Sequence, residues 1–490
     1  METKAVGAGI LNIITESLYD KPIVVFREYV QNSVDSFFKS MGTTTTKEDF
    51  SCEIWHENGD LYFLDNGNGI IENKFEDEMK HIAYSHKKRT LNIGYKGIGR
   101  LSGISYCKKL IFVNIVNYRT KQYQIYDIQC QNYSELKKSD DYGELGFDEL
   151  MDKIGAFYDY NSCPIKEKLT QILNKHEEMF LKQNRGFLVM LEEISPVLRQ
   201  TVLDEGLTTD LGWLLPVEFK NEMYEIKGKE KELFKELIQP NGDGMIPAIG
   251  FNISYNGTKI ERPITASMLR DYTCKFDLEY AIGFLTFRKD KIIVEKGNGF
   301  SGVRIYIDNM LLCDETELIP MLLKYGLLEH TSNELLQTVN GVGAMIYITD
   351  KVSISANARR TFIEVTDSDA LKFLEKIAIF IEKIYKARYA LSKYSSGKKN
   401  MEINSQKLKD LKDLANEALV DLAAEKIVLP PEENETKRDF SDLTETEKKQ
   451  VIKKKLTKEL NEQIKLYLAQ VTSFDFENAF EDFKIWLKSI

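Results

Sequence analysis

The sequence predicts an α+β chain in three parts: an N-terminal α/β sandwich, a second α/β domain, and a helical C-terminal region. Three observations carry this. The first two hundred residues alternate helical segments with period-2 strands. Glycine is spread through the first 390 residues, which hold 28 of the 29, while the last hundred hold Gly397 alone. Charge rises in that tail, where 37 of the last hundred residues are Asp, Glu, Lys or Arg against 105 of the first 390. Solvated helices suit a glycine-poor, charged stretch, and glycine collects where sheets and loops turn. At roughly 100–200 residues per domain the chain holds several domains. Boundaries fall at residues 1–215, 216–395 and 396–490, with Ser395-Ser396-Gly397-Lys398-Lys399 as a linker.

In chain order, Val25–Phe38 reads as a helix whose Phe26, Val30, Val34 and Phe37 form a core-facing stripe. Cys52–His56 and Asp60–Leu64 flank Asn58-Gly59, a strong hairpin signal, and Leu110–Val116 and Tyr123–Ile128 read as two more strands. In the tail, Leu408, Leu411, Ala415, Ala418 and Leu422 keep helical spacing before Pro430-Pro431, and a capping box at Thr444 and Glu447 opens a helix through Ile464. Phe474, Phe476, Phe480, Phe483 and Trp486 mark an aromatic terminal helix. These stripes suit either packing within the tail or a dimer or partner surface.

The composition, 43% hydrophobic with 29 Gly and 10 Pro, excludes collagen-like and wholly disordered classes. A net charge of −10 does not indicate a nucleic-acid binder, although a local basic channel is compatible with an acidic total. No apolar run approaches the roughly 18 residues needed to cross a bilayer, and the N-terminal residues lack a signal-peptide layout. A cytoplasmic protein without membrane contact is expected. The six cysteines form no CxxC pair and the five histidines no HExxH set, so neither a zinc site nor a disulfide framework is read.

Three segments carry candidate chemistry. Glu28, Asn32 and Asp35 share a helix stripe, which fits either a solvated face or oxygen ligands for a hydrated divalent cation. Asp65-Asn66-Gly67-Asn68-Gly69-Ile70 follows the hairpin strand, and is either a plain turn or a carboxylate beside glycines that admit a ligand ring. Ile93-Gly94-Tyr95-Lys96-Gly97-Ile98-Gly99-Arg100-Leu101 is a glycine-spaced loop opening a short helix, suited to phosphate. Neither a Walker-type nor a Rossmann-type glycine motif is present.

In this order and spacing the three segments resemble the gyrase, HtpG-chaperone, histidine kinase and MutL (GHKL) superfamily of ATPases, with Glu28-Tyr29-Val30-Gln31-Asn32-Ser33-Val34-Asp35 matching its first motif. The resemblance implies a Bergerat-type site for ATP and Mg2+. In it Glu28 is the general base, Asn32 holds the metal, Asp65 takes the adenine amino group, and Asp35, Gly67, Gly69, Gly94, Gly97, Ile98 and Gly99 shape the pocket. Ile70–Ile93 becomes the lid, where His81-Ile82-Ala83-Tyr84-Ser85 is similar to a chaperone lid and Lys87, Lys88, Arg89 and Lys96 are phosphate contacts or solvated charges. One departure stands out: after Gly186 the family's usual threonine is Phe187, which puts a hydroxyl contact in the base pocket in doubt.

Val303–Asn309, Glu317–Pro320 and Ser353–Arg360 resemble the middle domain of HtpG-type chaperones, which assigns Arg360, or failing it Arg359, to the γ-phosphate. The layout implies a homodimeric, ATP-driven clamp acting on an unidentified protein partner or client, and fits a bacterial or phage-related defence system. A MORC- or MutL-like DNA-associated ATPase and a nucleotide-gated scaffold with little turnover are the alternatives.

Overall fold

The computed structural model describes residues 7–12, 21–40, 47–81, 98–139, 142, 144–224, 250–265, 268, 272–278, 280–287, 301–328, 342–349 and 369–382. The linker at 395–399, the tail helices, Arg359 and Arg360 lie outside the described residues. The chain divides into two compact units. One comprises Met1–Lys220, Ala248–Pro263 and Asp308–Leu311, the other Asn221–Pro247, Ile264–Ile307 and Leu312–Ile490.

The first unit is built on strands β1 (Ser51–Glu57), β2 (Asp60–Asp65), β3 (Cys107–Asn117), β4 (Gln122–Gln129), β5 (Gly155–Asp159), β6 (Gly186–Ile194), β7 (Asn252–Tyr255) and β8 (Thr258–Lys259). They form an eight-stranded sheet in the order β5-β4-β3-β6-β2-β1-β7-β8. Neighbours run antiparallel except β1 and β7. Its helices are α1 (Gly9–Asn12), α2 (Ile23–Ser40), α3 (Phe75–Lys80), α4 (Cys130–Leu136), α5 (Phe147–Ile154), α6 (Lys166–Lys175), α7 (Pro196–Val202) and α8 (Leu207–Leu214). The Asn58-Gly59 hairpin forms as expected, with both residues at positive φ (55° and 89°) and Glu57 opposite Asp60.

The strands read as nearly continuous apolar runs because both faces of the sheet are covered. On one face Leu61, Phe63, Leu110, Phe112, Val189 and Leu191 pack with α2, where Phe26, Val30, Val34 and Phe37 are buried as the stripe predicts. On the other, Tyr62, Leu64, Ile111, Val113, Leu188 and Met190 pack with Leu169 and Leu173 of α6 and with Met179 and Phe180. Strict alternation along β2, β3 and β6 therefore feeds two cores from one sheet.

Arg262 is fully buried and acts as a polar rivet in the first unit. It donates to Gly212 O (2.8 Å) and Trp213 O (2.6 Å) at the end of α8, and to Asn309 O (2.9 Å) and Oδ1 (2.8 Å).

The second unit is also mixed. Strands β9 (Tyr272–Asp277), β10 (Ala281–Phe287), β11 (Gly302–Ile307), β12 (Met310–Cys313, of which Met310 and Leu311 count with the first unit) and β13 (Val342–Ile348) form a sheet in the order β12-β11-β13-β10-β9. It is accompanied by α9 (Asn221–Tyr224), α10 (Glu315–Lys324) and a helix over 369–382. Asp314 caps α10 by accepting from Thr316 N at 2.9 Å. The chain as described is α+β, as the sequence predicts. No helix among the described residues is long and apolar enough to cross a membrane.

Arg262→Met should destabilise the first unit by about 3 kcal/mol or more, because buried carbonyls lose charged donors. Chemical denaturation checks this, and an unchanged midpoint would contradict it.

Candidate active site

Helix α2 collects the site. From Val24 to Phe37 its side chains are buried with one exception, Asn32, which is partly exposed. The Glu28, Asn32 and Asp35 stripe is thus not a solvated face: Glu28 and Asp35 are covered, with 5% and 0% exposure. Covering two carboxylates on a core helix is costly unless they are hydrogen-bonded or paired. Glu28 Oε1 lies 3.4 Å from Nε of the equally buried Arg27.

Two loops close onto this helix. The first leaves the end of β2, where Asp65 is buried. Its Oδ2 accepts from Ser33 Oγ of α2 at 2.7 Å, and its Oδ1 accepts from Gly67 N at 2.8 Å. Burial pushes the Asp65 carboxyl up to about 6, while the bonds from Ser33 and Gly67 hold it back. Next to it, Asn66 accepts from Ser51 N (2.9 Å) and donates to Asp49 O (2.9 Å) and Met179 O (3.1 Å). Gly69 N donates to Ser36 Oγ at 3.0 Å. Glycine is required twice here. A Cβ on Gly67 would run into Ser36 Oγ, and Gly69 sits at φ 60° against Asn114 Oδ1.

The second loop enters a 3-10 helix, Gly99–Tyr106, at the other end of the α2 stripe. A Cβ on Gly99 would strike Oε2 of Glu28, so the loop backbone lies directly on the carboxylate. Tyr29, the next residue of α2, donates to Arg100 O and accepts from Gly103 N, both at 3.1 Å. Ile98 is partly buried against the core. Ser85, Gly94, Lys96 and Gly97 lie outside the described residues, as do Lys87, Lys88 and Arg89. Of the expected lid Ile70–Ile93, the part up to His81 is described and is docked. Phe75 and Met79 of α3 are buried, and Arg100 Nη2 donates to His81 O at 2.7 Å.

Residue 187 supplies a half-buried ring, 6.3 Å from that of Phe112, and the hydroxyl on Asp65 comes from Ser33 instead. The motif reading missed Ser33, Ser36, Tyr29 and Asn114. Ser33 stood inside the first motif, and Asn114 was legible as the one polar residue within the apolar run Leu110–Val116.

With this geometry in place, residues 21–151 match the family described as histidine kinase-, DNA gyrase B-, and HSP90-like ATPase. Residues 21–151 are thus similar to a GHKL-type ATPase domain. The matched span includes α2, the Asp65 loop and the Gly99 loop. No curated protein matches the chain. ATP binding and hydrolysis are the general chemistry of a GHKL-type domain, and the donor set fits that ligand: buried carboxylates at Glu28 and Asp65, and Asn32 as the one partly exposed side chain between Val24 and Phe37 of α2.

Followed by NMR, the Asp65 carboxyl should titrate near pH 6. Ser33→Ala should raise that value, since it removes a donor to the ionised form. An unchanged or lower value would contradict the pairing.

Proposed function

We propose that the chain binds ATP with Mg2+ along the α2 face and hydrolyses it. One observation carries the reading: residues 28–29 of α2 hold the Gly99–Gly103 segment and residues 33–36 hold the Asp65–Gly69 loop, roughly 8–10 Å apart along the helix axis. A carboxylate acceptor at one end and a helix-opening glycine loop at the other suit the base and the phosphates of one nucleotide.

In this reading Asp65 takes the adenine amino group, oriented by Ser33 and Gly67. Gly67 and Gly69 let the loop that follows Asp65 close onto Ser36 and Asn114, and Phe187 adds an apolar wall in cross-strand register with Asp65. Asn32 would hold Mg2+, with Asp35 behind it on the same stripe. When bound, the metal neutralises phosphate charge and orients the polyphosphate. Glu28 removes the proton from the attacking water, and Arg27 beside it steadies the charged carboxylate.

The wider reading is an HtpG-like clamp, in which ATP-driven closure and homodimerisation act on a protein partner and Arg360 reaches the γ-phosphate from the second unit. It is supported by the resemblance of Val303–Asn309 and Ser353–Arg360 to chaperone middle domains.

Glu28→Gln should bind ATP and lose about 10²–10⁴-fold in turnover. Equal background rates in the wild type and the variant, with ATP still bound, would sink the hydrolysis reading. ATP affinity should also weaken below about pH 6, by up to about tenfold per pH unit, as Asp65 takes up a proton and ceases to accept. Binding that stays flat from pH 7 to pH 5 removes Asp65 from base recognition.

A further inference from the structure

The chain leaving the Asp65 loop is held by three side-chain amides from two strands, none of them in the nucleotide motifs. Asn114 is buried in the middle of β3. Its Oδ1 accepts from Ile70 N at 2.9 Å and its Nδ2 donates to Ile70 O at 2.9 Å, so one side chain pairs with Ile70 much as a neighbouring strand would. Nδ2 also donates to Gln124 Oε1 at 2.9 Å. Gln124 Nε2 in turn donates to Glu72 O at 2.9 Å, and Gln122 Nε2 to Glu72 Oε1 at 2.7 Å.

Strand register explains why these groups meet. Asp65 lies opposite Phe187, Phe187 opposite Asn114, and Asn114 opposite Gln124, so the four side chains form one row across β2, β6, β3 and β4 on the α2 face. The same contact accounts for Gly69, where any side chain would collide with Asn114 Oδ1. The amides offer donor and acceptor together and do not titrate, so their bonds to Ile70 and Glu72 do not depend on the protonation of an amide.

We propose that Asn114, Gln124 and Gln122 form a latch that fixes Ile70–Glu72 in place before nucleotide arrives, making Asn114 a positioning residue for ATP binding. This rests on the ATP reading of the site. A segment ordered only on binding subtracts its ordering cost from affinity, whereas a segment ordered in advance does not. The latch sits where the base-binding loop passes into α3, so loosening it disturbs the Gly67–Gly69 wall while leaving Glu28 and its surroundings intact.

The test uses the full chain, with Asn114→Leu, which keeps approximate volume and removes the bonds, and the double variant Gln122→Ala/Gln124→Ala, which removes the hold on Glu72 and the Asn114–Gln124 bond but leaves both bonds between Asn114 and Ile70. Without nucleotide, hydrogen exchange at the Ile70 amide should rise about tenfold or more in Asn114→Leu, with the β3 and β6 amides still protected. The double variant should show a smaller rise over 70–74. In steady state, Asn114→Leu should raise KM for ATP about tenfold with kcat within about twofold. Unchanged exchange at Ile70, faster exchange with unchanged KM, or a kcat that falls with the folded fraction at constant KM would each overturn the latch. If Asn114→Leu does not fold, the double variant decides by the same readouts. A wild-type chain that binds no ATP would end the ATP reading, and the exchange result would still decide whether the amides fasten this segment.

Discussion

A carboxylate placed at the buried end of a β-strand is tolerated only if its oxygens are supplied with donors, and much of the first unit follows from meeting that condition at Asp65. The Ser33 hydroxyl comes from α2 and the Gly67 amide from the chain's own turn. The first bond sets α2 against β2, and Ser36 of the same helix then lies so close to the turn that residue 67 must lack a side chain. With one such donor on each oxygen, the carboxylate has lone pairs left to accept further bonds, and burial pushes its pKa up to about 6.

Helix α2 is the shared spine. Its apolar residues are locked by aromatic contacts, including Phe26 against Phe63 (5.5 Å) and Phe37 stacked on Phe50 (4.8 Å). Four of its side chains with polar groups meet a loop. Glu28 lies under Gly99, Tyr29 ties Arg100 and Gly103, Ser33 holds Asp65, and Ser36 holds Gly69. A helix covered on nearly all sides costs little only because these hydrogen bonds replace water, and the same bonds fix the spacing between the two loops. The residues of the candidate site are therefore packing residues too, which explains why so many small polar side chains sit in a core helix.

Local chemistry made much of this readable. Asn58-Gly59 dictates a tight hairpin, strand-forming runs mark β1 to β4, and the glycine spacing with Glu28, Asn32 and Asp35 marks the candidate site. Long-range pairing was not readable. The parallel partner of β1 is β7, about two hundred residues away, and His56 N bonds Asn256 Oδ1 across the same interval. Nor does composition reveal that the polar stripe of α2 is buried, because burial depends on the loops that fold over it. Asn114 was visible as an amide in an apolar run, but its partners Ile70 and Gln124 emerge only once three strands are in register.

We propose that one nucleotide lies along α2 with its base at Asp65 and its phosphates at the Gly99 loop. A crystal structure of the full chain with Mg2+ and a non-hydrolysable ATP analogue tests it most directly. The predicted result places the adenine amino group in hydrogen-bonding distance of Asp65, the phosphates beside Gly99, and the metal on Asn32. An analogue bound elsewhere, with Asp65 still paired only to Ser33 and Gly67, would contradict it.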